Sequence, residues 1–428
     1  MLKAIQAMYI CTKNVLKTAI ISASIGVRQG APSSCLLFII YIDEMVKMLK
    51  NAINNDGYLG ALHALLLMDD TVLLATNRDM CINKFKVVTQ YCEEFGMSIN
   101  AKKTKFFVMN AVENDKNPIV VNNIKVCYSP KYLYLGGWFT DSGKMTDVIA
   151  LHEKANQSTV NKFSIFCAVN SNMPFKYKKM VFDAAVTASL LYSAESWLTD
   201  NIKVIEQQYN QLVRCLLGVR KNTSIDLCLM ESGIPPLRYV LSKRRCTYLK
   251  SKLSCNDIEQ PFINFYRLCQ ENNTPGYRFL SRSLEYHVEC NPLLNVAISV
   301  RGKAINGTKF NTYICDLNQA LVTHPVYLTN IFIPDYLRES VSRVRLMSHN
   351  LKIETGRWSR RPREARVCPC NDRDIQTEKH VLLECGLTQN IRNRYPMLNF
   401  MNTNSLFESG DHILSMCKYV HEVLDVYK

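Results

Sequence analysis

Two groups of residues in this sequence have the types and spacing that metal chemistry requires, and the first is the carboxylate pair Asp69-Asp70. The pair lies between two short runs of Leu and Val within residues 62–76, a pattern that predicts a β-hairpin with the pair at its tip. Adjacent carboxylates repel each other unless a cation neutralises them, and Mg²⁺ would do so. The alternative is an ordinary solvated turn, because turns favour aspartate.

The second group is Cys368, Cys370, His380 and Cys385, with the spacing C-x-C-x9-H-x4-C. Three thiolates and one imidazole match a closed tetrahedral zinc site. The alternative is a set of unrelated buried thiols and a lone histidine. The preceding segment carries Trp358, which could stack on a base. It is also strongly basic, with Lys or Arg at positions 338, 343, 345, 352, 357, 360, 361, 363 and 366 and acidic residues at 339, 354 and 364.

The overall charge favours a polyanionic partner, since 52 Lys and Arg stand against 37 Asp and Glu, a formal net charge of +15. Nucleic acid is the commonest such partner, and it binds basic surfaces through counterion release. No apolar run of about 18 residues indicates a membrane span, and the first residues do not resemble a signal peptide. The 17 cysteines lack paired spacing, which predicts reduced thiols and an intracellular protein, in the nucleus, the cytoplasm or both.

Hydrophobic periodicity changes near residue 140. Before it, the pattern predicts helices at residues 32–51 and 83–95 and strands around 105–109 and 132–139. After it, helical periodicity recurs at residues 147–167, 177–197, 202–217 and 237–253. The sequence therefore predicts an α+β protein with four regions. These are a mixed region (1–140), a helical domain (141–255), a loop-rich connector of unassigned fold (256–335) and a basic segment with the Cys and His residues (336–428).

Four further segments surround the acidic pair in a fixed order: GVRQGAP (26–32), LLF (36–38), GMSINAKKTK (96–105) and YLYLG (132–136). In this order and at these spacings they resemble the palm motifs of non-LTR (LINE-type) retrotransposon reverse transcriptases. The helical segments at 182–197 and 212–219 resemble the region that follows the palm and acts as a thumb. The resemblance implies a partial right-hand polymerase palm, a helical thumb-like domain and a small C-terminal zinc-knuckle region.

The resemblance also implies an activity, RNA-directed DNA polymerisation with two Mg²⁺ ions, and it assigns roles to residues. Asp69 and Asp70 would bind the metals, and Lys103 would meet the triphosphate or protonate the leaving pyrophosphate. Arg28, Gln29 and Gly30 would bind the nucleotide and template, and Gly30 would let the backbone approach the nascent base pair. The implied partners are an RNA template, a DNA primer or target DNA, and deoxynucleoside triphosphates.

Basic residues in the helical domain would contact phosphates of a template–primer duplex. They are Lys or Arg at positions 176, 178, 179, 214, 220, 221, 243, 244 and 245. The alternative for any one of them is a solvated helix face. The cysteine and histidine spacing is similar to the zinc knuckle of retrotransposon proteins, although that family more often has C-x-x-C.

Two departures from the family pattern stand out. Leu67-Met68 replaces the usual Tyr-Ala before the aspartates, and the sequence contains no third carboxylate on a strand upstream of the GVRQGAP segment. Asp43 and Asp56 do not occupy the required order. We therefore expect an N-terminally truncated enzyme whose metal site is incomplete. A second hypothesis is a non-catalytic nucleic-acid-binding protein derived from such an element.

Overall fold

The computed structural model describes residues 12–15, 20–23, 32–60, 62–254, 261–285 and 291–428. Its strands are β1 (Thr12–Val15), β2 (Ile20–Ala23), β3 (Ala64–Leu67), β4 (Asp70–Leu73), β5 (Lys105–Phe106), β6 (Ile119–Val121), β7 (Ile124–Tyr128), β8 (Lys131–Tyr134) and β9 (Gly137–Thr140). The pairs β1–β2, β3–β4 and β8–β9 form separate two-stranded sheets. A three-stranded sheet has the order β5-β7-β6, with β5 parallel and β6 antiparallel to β7.

The helices up to residue 254 are α1 (Pro32–Ala52), α2 (Arg78–Glu94), α3 (Met145–Val169), α4 (Phe175–Val181), α5 (Ala188–Leu190), α6 (Lys203–Leu217), α7 (Ile225–Ser232) and α8 (Leu237–Leu253). Those that follow are α9 (Pro261–Glu271), α10 (Pro275–Leu284), α11 (Leu294–Ala304), α12 (Thr308–Thr312), α13 (Val326–Thr329), α14 (Asp335–Arg345), α15 (Lys352–Trp358), α16 (Gln389–Asn393), α17 (Thr403–Phe407) and α18 (Ile413–Asp425). No helix in the described ranges is long and apolar enough to cross a membrane.

The chain divides into two units, of which the first comprises Met1–Tyr132 and Phe139–Gly143. Helices α1 and α2 form its main core, where Leu49 and Tyr91 are fully buried. The helix α2 begins where the Asn77 side chain accepts a hydrogen bond from the backbone N–H of Met80 (2.9 Å), a standard N-cap. Strand β3 alternates, so that Leu66 packs on this core while the side chain of Leu67 is exposed.

A buried ion pair stabilises the first unit beside this core. The ammonium group of Lys84 on α2 lies 2.5 Å from the Asp56 carboxylate, and neither side chain is accessible to solvent. The same ammonium donates to the Leu74 carbonyl (2.6 Å), and Thr76 donates to Asp56 through both its backbone N–H and its hydroxyl. Asp56 is therefore fully engaged inside the unit, and Asp43 lies on an exposed face of α1, paired with Lys47.

The second unit comprises Leu133–Trp138 and Lys144–Lys428, and one continuous hydrophobic core runs through it. The core joins α3 and α6 to α14 and α18, so residues predicted to form a thumb, a connector and a basic segment pack together in one unit. Buried charges link its parts. Asp335 pairs with both Lys178 and Arg338, and Glu231 pairs with Arg345, all at 5% side-chain exposure or less.

The predicted helices are present with one exception. Residues 177–197 do not form one helix, because α4 continues into a π-helical turn (Phe182–Thr187) and the short α5, and a 3₁₀ turn (Ala194–Ser196) follows. The prediction of a loop-rich connector is wrong in the described part of residues 256–335, which forms α9 to α13. The strand predicted at 132–139 is a hairpin, β8–β9, whose turn places Leu135 and Gly136 at positive φ.

Candidate functional site

The acidic pair lies at a hairpin tip. Strands β3 and β4 pair antiparallel with Leu67 opposite Asp70, which leaves Met68-Asp69 as a two-residue turn. Met68 adopts the left-handed φ of 55° that such a turn requires. Both aspartates are exposed, and the hairpin is held from behind by apolar side chains of β3 and β4 in the core of the first unit. The predicted hairpin is confirmed, and it holds two carboxylates in solvent on a rigid base.

Other predicted polymerase residues lie elsewhere in the first unit. Lys103 is exposed in a turn after α2, where its backbone N–H donates to the Asn100 carbonyl (3.0 Å). Arg28, Gln29 and Gly30 lie outside the described residues. The only group of three or more potential metal ligands within the described ranges lies in the second unit, so Asp69 and Asp70 supply two ligands and no neighbouring carboxylate, thiol or imidazole completes them there.

That group consists of Cys368, Cys370, His380 and Cys385, which we name the Cys/His cluster. Its four ligand atoms all lie within 4.8 Å of one another. The sulfurs of Cys368 and Cys385 are 3.7 Å apart, and the Cys370 sulfur lies 3.3 Å from His380 Nε2. A tetrahedral zinc ion with Zn–S of about 2.3 Å and Zn–N of about 2.0 Å would separate two sulfurs by roughly 3.8 Å and a sulfur and a nitrogen by roughly 3.5 Å. The donor set and its spacing therefore fit Zn²⁺.

Groups around the Cys/His cluster also suit a metal. The Tyr427 hydroxyl donates a hydrogen bond to the Cys385 sulfur (3.0 Å), and carboxylate oxygens of Asp374 and Glu384 each lie 3.9 Å from His380 Nδ1. Contacts of this kind orient metal ligands, and a carboxylate beside a ligating histidine also raises the basicity of its imidazole. Burial, together with hydrogen bonds that the Cys370 thiol donates to the sulfurs of Cys368 and Cys385, raises the pKa of Cys370 to about 12. The Cys370 thiol thus keeps its proton unless a cation replaces it.

Two of the basic residues predicted to contact phosphate lie inside the second unit. Lys178 and Arg245 are buried, and they bind internal partners: Lys178 pairs with Asp335, and Arg245 donates to the carbonyls of Trp197 (2.8 Å) and Thr199 (2.6 Å). These two are therefore unavailable to a ligand, and their prediction as phosphate contacts is wrong. Arg338 and Arg345, two of the basic residues in the segment before the Cys/His cluster, are likewise buried and unavailable to a ligand.

Against known families, residues 2–139 match the model described as reverse transcriptase (RNA-dependent DNA polymerase). The chain carries a reverse transcriptase domain. The match covers about a third of the chain and includes the hairpin with Asp69 and Asp70 as well as Lys103. A reverse transcriptase domain is a nucleotidyltransferase domain, and such domains act on nucleic acid templates with nucleotide substrates. No curated protein matches the chain.

Several residues of the candidate sites were not predicted from the sequence. Tyr427 stands 42 positions from the sulfur it contacts, and no spacing rule marks it. The guanidinium carbon of Arg220 lies 4.1 Å from the centre of the Trp358 ring, although Arg220 was expected on a thumb-like helix face. Gln376 connects the Cys/His cluster to α15, since it accepts a hydrogen bond from the Lys352 backbone N–H (2.7 Å). Only the fold brings these residues together.

Proposed function

We propose that the chain is the reverse transcriptase part of a non-LTR retrotransposon, an RNA-directed DNA polymerase that copies an RNA template from a DNA primer or target DNA. The observation that carries the proposal is the acidic hairpin: within a reverse transcriptase domain, Asp69 and Asp70 stand exposed at the tip of β3–β4. The order of the surrounding segments supports the non-LTR type. Such a protein works inside the cell, in the nucleus, the cytoplasm or both.

In this proposal Asp69 and Asp70 bind Mg²⁺. Nucleotidyl transfer uses one metal to activate the primer 3′ oxygen and a second to hold the triphosphate and stabilise the leaving oxygen. The two carboxylates belong to no larger ligand group within the described ranges, so nucleotide phosphates and at least one further carboxylate must complete the site. Lys103 neutralises or protonates the pyrophosphate, and Arg28, Gln29 and Gly30 contact the nucleotide and template.

The helical part of the second unit, up to residue 255, acts as the thumb in this proposal, and its exposed basic residues contact the duplex backbone. Lys176, Lys221 and Lys243 are exposed and suit that role. The Cys/His cluster is a structural zinc knuckle. Its test is elemental analysis of purified protein, for which we expect one zinc per chain, lost when Cys385 is replaced by Ser. Protein without zinc, whose four ligand side chains all react with thiol or imidazole reagents, would refute the zinc site.

Primer extension on an RNA template tests the polymerase. We expect slow extension by the chain, because two carboxylates alone do not fix the separation of two metals. Asp69→Asn and Asp70→Asn should each abolish it. Asp43→Asn is the matched control, since Asp43 is an exposed carboxylate on α1 that pairs with Lys47, as Glu44 also does. This variant should extend at the wild-type rate.

The second candidate is a non-catalytic nucleic-acid-binding protein derived from such an element, and the replacement of Tyr-Ala by Leu67-Met68 favours it. The same assay separates the two functions. Wild-type rates in the Asp69 and Asp70 variants would refute their catalytic role. A wild-type chain that binds template–primer but does not extend it, even with Mn²⁺, would favour the second candidate.

A further inference from the structure

One exposed aromatic side chain in the second unit takes no part in the hydrophobic core. Trp358, the last residue of α15, is 49% exposed and belongs to none of the buried clusters. The Arg220 guanidinium stacks over its ring, with its carbon 4.1 Å from the ring centre. A guanidinium in this position stabilises the ring by a cation–π interaction and occupies that part of its surface. The remaining exposed surface of the indole is open to a second planar group.

Positively charged residues without carboxylate partners follow this indole in the chain. The basic loop, which we define as residues 359–365, follows Trp358 directly and contains Arg360, Arg361 and Arg363, all exposed. None of these three, nor Arg220, forms an ion pair with a carboxylate in the described part of the chain. The loop contains one acidic residue, Glu364. Three exposed arginines beside an aromatic ring form a surface suited to phosphates and a base.

Internal hydrogen bonds hold the end of the basic loop against α15. Arg366 donates to the carbonyls of Ile353 (3.0 Å) and Arg361 (2.6 Å), and Gly356 leaves the space for its side chain, since a Cβ there would lie 2.6 Å from Arg366. The next residue, Val367, forms a β-bridge with Ile375. These contacts restrain the loop before any ligand binds, which lowers the entropic cost of binding.

We infer that Trp358, stacked on Arg220 and followed by the basic loop, binds single-stranded nucleic acid by stacking on one unpaired base while Arg360, Arg361 and Arg363 contact the flanking phosphates. Single strands fit better than duplex, because a paired base offers no free face to a side chain on the protein surface. The inference rests on the proposed nucleic-acid-binding function, but it does not depend on polymerase activity or on Asp69 and Asp70.

Binding of a fluorescently labelled single-stranded oligonucleotide, as oligo(U) or oligo(dT), tests the inference. Trp358→Ala should weaken binding about 5- to 150-fold, the range seen when a stacking aromatic side chain is removed. Trp358→Phe should retain most of the affinity, because the ring remains. The matched ligand is an abasic strand of equal length, which offers phosphates without bases. We expect wild-type protein to bind it as weakly as Trp358→Ala binds the normal strand.

Fluorescence supplies a readout that a purely structural role would not change. The chain has 3 tryptophans, and Trp197 is buried while Trp138 is partly buried in the core. Oligonucleotide should quench the emission of wild-type protein, and this quenching should be absent in Trp358→Phe. Equal thermal unfolding of Trp358→Phe and wild type would show that the variant is folded.

Charge is tested by replacing Arg360, Arg361 and Arg363 together with Gln. Their loss should reduce the slope of log affinity against log salt concentration by about 2, since each phosphate contact on a single strand contributes about 0.7. The matched control removes the same charge from exposed lysines outside the proposed thumb, as Lys86→Gln on α2, Lys125→Gln on β7 and Lys418→Gln on α18, and should leave the slope nearly unchanged.

Two results would overturn the inference while the proposed function stands. One is wild-type affinity of Trp358→Ala for normal single strands. The other is equal binding of normal and abasic strands, which would indicate a phosphate site only. A wild-type chain that binds no nucleic acid at all would refute this inference and the proposed function together.

Discussion

Replacement of Tyr427 by Phe should weaken zinc binding at the Cys/His cluster. The Tyr427 hydroxyl donates to the Cys385 sulfur at 3.0 Å and lies 4.0 Å from the Cys368 sulfur. Although burial by itself raises the pKa of Cys385, hydrogen bonds, with that of Tyr427 foremost, hold its pKa below the usual value. Phenylalanine keeps the ring and removes only this donor, so the metal-bound thiolate would lose one hydrogen bond.

The expected magnitude follows from the geometry. A hydrogen bond to a charged group contributes about 1.5–3 kcal/mol, and loss of a group that supports a metal ligand costs about 10- to 100-fold in affinity. Tyr427 is only half-buried, so solvent replaces part of the lost bond. We therefore expect the lower end, about tenfold weaker zinc binding, or about 1.4 kcal/mol.

Competition with a chromophoric zinc chelator, under reducing conditions, measures this change. Tyr395→Phe is the matched control, because the Tyr395 hydroxyl donates to the Glu422 carboxylate (2.7 Å) and not to a sulfur. It should bind zinc like the wild type. Equal zinc affinity of Tyr427→Phe and wild type, or an equal loss in both variants, would show that the hydrogen bond to Cys385 does not support the metal.

Three further predictions concern stability. Asp335→Asn should lower the free energy of unfolding, measured in urea, by about 3–5 kcal/mol, because it leaves two buried cations without a counter-charge. As a control, the same change at the exposed Asp183 should lower it by less than about 1 kcal/mol. Gly136→Ala should lower the free energy of unfolding by at least about 1–2 kcal/mol, since φ at residue 136 is +80° and the new Cβ would lie 2.7 Å from the Tyr192 ring. Adding Tyr192→Ala to this variant should restore only the part of the loss that is due to the clash. Burial raises the pKa of Asp56, but hydrogen bonds from Lys84 and Thr76 outweigh burial and leave the pKa below its ordinary value. The stability that this carboxylate provides is therefore present above a pH of about 4 and lost below it. The difference in unfolding free energy between wild type and Asp56→Asn should shrink as the pH falls through that range, and a difference independent of pH would refute the argument.

Local patterns in the sequence were sufficient where the determinants are local. The two short runs of Leu and Val around Asp69 and Asp70 predicted the hairpin, and the helical periodicity of residues 147–167 predicted α3, which spans Met145–Val169. The spacing of Cys368 to Cys385 predicted four ligands that the fold does bring within 4.8 Å. In each case neighbours along the chain set the geometry.

Prediction of exposed basic side chains failed where residues far along the chain determine their burial. Lys178 and Arg245 follow the pattern of solvated helix residues, but Asp335 and the carbonyls of Trp197 and Thr199 neutralise them in the core. Single charges carry no sequence signal for burial, because the partner lies far along the chain. The contact between Arg220 and Trp358 could not be predicted from the sequence for the same reason.

The helices of the predicted connector were missed in the sequence for another reason. The helices α9 to α13 have 4 to 11 residues each, so none repeats an apolar stripe over enough turns to stand out from loop sequence. Packing against the core of the second unit stabilises them instead. Val300 on α11, for example, is fully buried there.

Metal-directed cleavage at the acidic hairpin tests the central claim most directly. Fe²⁺ substituted for Mg²⁺, with ascorbate and peroxide, generates hydroxyl radicals that cut the backbone beside the bound ion. With template–primer and a nucleoside triphosphate present, we predict a cut near Met68–Asp70 that excess Mg²⁺ suppresses. The cut should be absent in the double variant Asp69→Asn, Asp70→Asn and retained in Asp43→Asn. Cleavage elsewhere, or an unchanged cut in the double variant, would contradict the assignment of this hairpin as the polymerase metal site.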